Sequence, residues 1–119
     1  MKLEFKILAA LVLSLGFASA VDWPMSRADA GRSGYTAESL PAEMHLQWVR
    51  KLAHEPRPAW PRSDRMTFDR AYPIISADGM LFYGSSVDCS IHALDSATGE
   101  ERWNFPTRAP VRFAPAFWK

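Results

Sequence analysis

Ala93-Leu94-Asp95-Ser96-Ala97-Thr98-Gly99-Glu100-Glu101-Arg102-Trp103 is the stretch that decides the fold of this chain. Ile91 and Leu94 close one apolar run. Asp95, Ser96 and Thr98 carry short oxygen-bearing side chains that fold back onto backbone N–H groups, and Gly99 takes a positive φ without a Cβ clash. Beyond the glycine, Trp103 and Phe105 alternate with Arg102 and Asn104, the period of two of a half-buried strand. The stretch reads as strand, tight polar turn, strand, with a large aromatic at a fixed offset from the glycine.

The neighbouring sequence extends this into a repeat. Aligning Pro73 with Pro115 gives a period of 42 residues, and the same shift places Arg70 on Arg112 and Ile75 on Phe117. Periods of about 40–45 residues suit a four-stranded propeller blade. One blade can be traced in full: an inner strand Tyr72 to Ser76, a turn Ala77-Asp78-Gly79, a second strand Met80 to Gly84, a third Ser90 to Leu94, a turn Asp95 to Glu100, and an outer strand Glu101 to Phe105. Asp-Gly between apolar runs is a strong hairpin signal by itself. Upstream, Leu46-Gln47-Trp48-Val49-Arg50 reads as another outer strand, with Trp48 in the role of Trp103. The proline- and arginine-rich segment Ala53 to Arg65 reads as an inserted loop, because Pro56, Pro58 and Pro61 cannot donate ladder bonds. A short helical turn is conceivable over Glu38 to Met44, against which Pro41 argues.

Ala93, Asp95, Thr98, Gly99 and Trp103 complete the pattern Ala-x-Asp-x-x-Thr-Gly-x-x-x-Trp. That pattern resembles the tryptophan-docking motif of the pyrroloquinoline-quinone (PQQ)-like β-propeller repeat, shared by quinoprotein alcohol dehydrogenases and outer-membrane assembly lipoproteins. The segment Trp23-Pro24-Met25-Ser26-Arg27 resembles, more weakly, the leader of secreted members. The resemblance implies an all-β fold, a partial β-propeller with one complete four-stranded blade plus flanking strands. It also implies a structural docking role for Trp48, Asp95, Thr98, Gly99 and Trp103, with tryptophans packed between blades. The expected organisation is a signal helix over 1–20, a leader over 21–45, and an incomplete propeller over 46–119. Within the last, the full blade spans about 70–106 and the next begins at 111. Closed propellers have four to eight blades, roughly 170 residues or more, so the chain is expected to be the N-terminal piece of a longer propeller or one part of an assembly.

Lys2 and Lys6, the apolar run Ile7 to Phe17, and the small residues Ala18-Ser19-Ala20 have the layout of a secretory signal peptide. The run is shorter than the about 20 residues of a membrane span; an uncleaved N-terminal anchor is the alternative. Cleavage after Ala20 leaves Val21 as the N-terminus and places the protein in the periplasm or outside the cell. Without Lys2, Lys6 and Glu4 the remainder carries twelve basic and twelve acidic residues, which lacks the basic footprint of a nucleic-acid binder. No nucleic-acid partner is expected, and a membrane enters only through export. Cys89, the single cysteine, cannot form an internal disulfide. Its Cys-x-x-His spacing with His92 supplies two ligands, too few for a zinc site, and reads as a buried small side chain beside a strand histidine.

No catalytic, cofactor or metal residues emerge. Tyr83-Gly84-Ser85-Ser86 lacks the Gly-x-Ser-x-Gly nucleophile turn. In the quinoprotein dehydrogenases, the resemblance implies PQQ, calcium, a catalytic Asp and adjacent cysteines; this chain has one cysteine and no carboxylate in a matching motif. The favoured reading is a non-catalytic scaffold or protein-interaction module of the cell envelope, whose partners are proteins or further C-terminal blades. The alternative is the N-terminal fragment of a PQQ-dependent dehydrogenase. Arg70 and Arg112, one period apart, are candidates for the mouth of a central channel that takes small anions or acidic peptides. Their alternative is pairing with loop carboxylates such as Asp69.

Overall fold

Asp78-Gly79 sets the first hairpin. Both residues have positive φ, 50° and 72°, the conformation of the two-residue turn whose twist matches that of paired strands. It joins β1 (Ile74–Ala77) to β2 (Met80–Ser85) with Ala77 opposite Met80. A four-residue turn over 86–89 leads to β3 (Ser90–Asp95), and the polar turn at 96–100 leads to β4 (Glu101–Pro106). The computed structural model describes residues 21–59 and 70–118. Over these the protein is all-β: one antiparallel sheet in the order β1-β2-β3-β4, with no helix among the described residues. The expected signal segment 1–20, the end of the inserted loop with Trp60, Arg62, Asp64 and Arg65, and Asp69 beyond it lie outside the described residues.

Period-two alternation divides the sheet into two faces. Ile75, Phe82, Ala93 and Trp103 stand in register across the four strands on one face. Ile75, Ala77, Phe82 and Ala93 form the core there, each at most 8% exposed. Burying a side chain such as Ile75 or Phe82 contributes about 1.5–3 kcal/mol. The chain after β4 returns over this face. Ala114 and Phe117 pack against the core, and the Phe117 ring stacks on Phe82 with centroids 5.8 Å apart. Gly84 admits this close approach, because a Cβ there would lie 2.2 Å from Val111 Cγ1. The opposite face carries Ile74, Leu81, Tyr83, His92 and Leu94, which the register places together. Trp48, Arg50, Leu52 and Tyr72 join Ile74, Leu81, Tyr83 and Leu94 around a cavity of about 140 Å³. The sheet thus lies between a strap from before it and a segment from after it.

The leader does more than precede the sheet. Trp23 makes an isolated antiparallel bridge to Ser76 at the free edge of β1, with N–H···O bonds of 2.8 and 3.0 Å. The Ser76 hydroxyl also accepts from the Trp23 amide, and Asp22 Oδ1 accepts from the Asp78 amide. Pro24 O accepts from Phe117 N at 2.8 Å. Residues 22–24 therefore cover an exposed edge, where unpaired N–H and C=O groups otherwise invite intermolecular pairing, and fasten it to the segment after β4.

Four expectations need correction. Leu46–Arg50 is not a strand; the polar side chains of Gln47 and Arg50 are spent on carbonyls of the β3–β4 turn instead. The segment from Val111 onward is likewise irregular, with single backbone bonds from Val111 to Ser85 O and from Phe117 to Pro24 O rather than a ladder. No helical turn forms over 38–44. And β4 is exposed along its whole length instead of half-buried, because it is the outer edge of the sheet; Trp103 is 45% and Phe105 61% exposed.

Candidate functional site

The β3–β4 turn is built around one carboxylate. Asp95 Oδ1 accepts from the amides of Ala97 and Thr98, both at 3.0 Å, and from the Thr98 hydroxyl at 3.2 Å. Asp95 Oδ2 accepts from an Arg102 guanidinium N–H at 2.7 Å. The Thr98 oxygen in turn accepts from the Glu100 amide. The Arg102 bond, with those from Thr98 and Ala97, outweighs slight desolvation and holds the Asp95 carboxyl down to about 2. Asp95 raises the Arg102 guanidinium reciprocally. Arg102 occupies a β-bulge: Ala93 faces Trp103 and Leu94 faces Glu101, leaving one extra residue on β4. The bulge re-aims a side chain, here towards the turn.

This turn receives Trp48. Gly99 is buried with φ +73°, and a Cβ there would come 2.5 Å from Trp48 Cε3. Only glycine satisfies both the backbone and the ring. The Trp48 indole N–H donates to Ser96 O at 3.0 Å, which meets the requirement of a partly buried indole for an acceptor. Gln47 Nε2 reaches Ala97 O, and Arg50 bonds both Gly99 O and Glu101 Oε2. Four docking residues named from the sequence, Trp48, Asp95, Thr98 and Gly99, therefore meet in one place. The fifth does not join them. Trp103 lies on the opposite face, its ring 5.8 Å from Phe82, beside a groove of about 440 Å³ that Met80, Ile91, Pro115 and Phe117 also line.

The second cluster was not legible as a site. His92 is 8% exposed and lies flat against Tyr83, centroids 4.7 Å apart and planes 8° from parallel. Its Nε2 faces Asp88 Oδ2 at 2.9 Å and its Nδ1 faces Glu101 Oε2 at 3.3 Å. A cleft of about 340 Å³ opens here, lined also by Arg50, Lys51, His54 and Tyr72. Partial burial works against the Asp88 carboxylate, but hydrogen bonds from Ser85 and His92 and the charge of His92 prevail and hold its carboxyl below the usual value. Burial raises the Tyr83 phenol, with Arg50 opposing and Glu101 and Asp88 reinforcing the shift. The two ring nitrogens point to separate carboxylates and so converge on no shared ion. No group of three His, Cys, Asp or Glu among the described residues is placed to hold a metal. Cys89 is a half-buried turn residue with φ 55°, not a buried packing residue. The Cys-x-x-His spacing sets only Cys89 beside His92; the side chain that meets the ring is Asp88, four residues before it across a turn.

Arg70 is exposed, a few residues before β1, and Arg112 sits with its guanidinium carbon 5.5 Å from the Phe113 ring centroid. Both are engaged with neighbours. Asp69, the carboxylate suggested for pairing, lies outside the described residues. Compared with known proteins, the chain matches no family model, no curated protein and no solved structure.

Proposed function

We propose that this chain is an exported, PQQ-like propeller-repeat protein whose role is non-catalytic: a scaffold or protein-interaction module of the cell envelope, with the β4 face receiving a further repeat or a protein partner. One observation carries the reading. A tryptophan from outside the sheet, Trp48, is seated on the Gly99 turn with its N–H on Ser96 O. This is how one repeat unit grips the next when each buries too little core alone. The meander order of the strands, and flanking segments laid on opposite faces, support it further. Trp103, in the equivalent position on β4, is 45% exposed beside an apolar groove, as suits a docking residue whose receiving turn belongs to another unit.

The experiment is site-specific photocrosslinking from position 103 in cells, with Glu38, exposed in the leader, as control position. The expected outcome is a protein adduct in the envelope fraction from position 103 and none from 38. Adducts found only in the cytosol, or equal at the two positions, would overturn the reading.

A further inference from the structure

His92 joins three parts of the sheet to the strap that carries Trp48. Asp88 comes from the β2–β3 turn, Glu101 from β4, and the ring itself from β3. Glu101 Oε2 also accepts from Arg50 on the strap at 2.6 Å. The charged and titratable groups around the ring are thus Asp88, Glu101, Tyr83 of β2, Tyr72 ahead of β1, and Arg50, Lys51 and His54 of the strap.

The imidazole cannot serve both carboxylates in its neutral form. A carboxylate only accepts, and a neutral imidazole has one N–H. Its other nitrogen would set a lone pair against a carboxylate oxygen. Only the doubly protonated ring donates in both directions, and its side chain, 10% exposed, has little water to turn to. Loss of the proton leaves the shorter bond, to Asp88, as the one better kept. Glu101 then faces a lone pair at the distance where it had a donor. Glu101 is also where Arg50 fastens the strap, so the repulsion acts on the strap's own anchor.

We propose that His92 is a pH-sensitive latch: protonated, it holds the 46–52 strap and the Trp48 seat on the sheet; neutral, it loosens them. The sign follows from which form is bonded. The bonds are to the charged ring, so the added docking strength is present while the ring carries both protons and is lost as rising pH removes one. Asp88, held below its usual value, remains an acceptor through mildly acidic conditions. The latch is a property of this chain alone and does not depend on the scaffold reading.

The test follows the Trp48 indole N–H by NMR in the full chain, assigned by its loss in Trp48→Phe. Its exchange rate is compared with that of Trp118, which is 90% exposed and serves as internal reference. From about pH 5.5 to about pH 8, exchange at Trp48 should accelerate about tenfold relative to Trp118, the loss of one charge-assisted bond. His92→Gln should abolish that pH response, and His54→Gln should leave it intact. An unchanged ratio in the native chain, or the same response in His92→Gln, would overturn the latch. Should His92→Gln fail to fold, nitrogen shifts of the native rings decide: a second proton kept on His92 to higher pH than on the exposed His45 upholds the latch, and loss at the same or a lower pH defeats it.

Discussion

Trp48 and Trp103 occupy the same place in two similar sequences, Leu46-Gln47-Trp48-Val49-Arg50 and Glu101-Arg102-Trp103-Asn104-Phe105, yet they end in different surroundings. Trp48 has no strand around it but a complete seat: a buried glycine beneath, a carbonyl for its N–H, and two flanking polar side chains bonded to the same turn. Trp103 has a full strand around it but no seat, only the tilted ring of Phe82 and an open groove. Secondary structure and docking are therefore separable in this molecule. The turn holds the tryptophan, and the ladder does not. A strand needs a neighbour that offers backbone partners along its length, whereas a seated indole needs one glycine and one carbonyl.

The sharpest way to break this comparison is at Gly99. Gly99→Ala places a methyl where the Trp48 ring lies and forces an L-residue to φ +73°. The two effects together should cost about 3 kcal/mol, read by denaturant unfolding. In a Trp48→Ala background the steric part vanishes and only the backbone strain of about 1–2 kcal/mol should remain. Equal costs in the two backgrounds would mean that the ring does not rest on Gly99.

Truncating the tryptophans themselves sharpens the contrast. Trp48→Ala empties a seat and strands the Ser96 carbonyl, for an expected loss of about 2 kcal/mol, below the range for a fully buried tryptophan because Trp48 is half-buried. Trp103→Ala removes a ring that is 45% exposed and should cost about 1 kcal/mol. The order would reverse if β4 packing, rather than the turn, were the main hold on flanking segments.

What the sequence disclosed and what it concealed divide along the range of the interactions. Asp78-Gly79 and Asp95 to Gly99 are local chemistry: the positive φ values and the carboxylate-to-amide bonds involve residues at most a few positions apart. The strands they join were placed within two residues of their observed ends. The Trp23–Ser76 bridge spans 53 positions and leaves no periodic trace, since one pair of hydrogen bonds needs no pattern. The partnership of His92 with Glu101 was hidden for another reason. Residues 92 and 101 become neighbours only through the bulge at Arg102, which advances β4 by one residue and sets Glu101 opposite Leu94. Sequence alternation alone carries Trp103 and Glu101 to the same face; the bulge separates them.

The smallest effect concerns the turn's own carboxylate, and it asks whether the seat survives acid. Asp95 lies at about 2 against its ordinary 3.8, chiefly through the Arg102 hydrogen bond. A depressed carboxyl contributes stability that is present above its ordinary value and is lost as pH falls through the folded value. The window of loss here runs from about 3.8 down to about 2. The Asp95–Arg102 pair lies at the surface, Arg102 exposed and Asp95 only partly covered, so the effect on overall stability is small and weakens with salt; the local titration is the better readout. The Thr98 amide, bonded to Asp95 Oδ1 at 3.0 Å, should report a transition near about 2 in the native chain. Arg102→Ala should raise that transition towards 3.8, leaving the bonds from Ala97 and Thr98 to keep part of the depression. Asp95→Asn should remove the transition altogether while retaining an oxygen acceptor for the turn amides. If the Thr98 amide titrates at the ordinary value in the native chain, Arg102 does not pair with Asp95, and the seat for Trp48 rests on Gly99 and Ser96 alone.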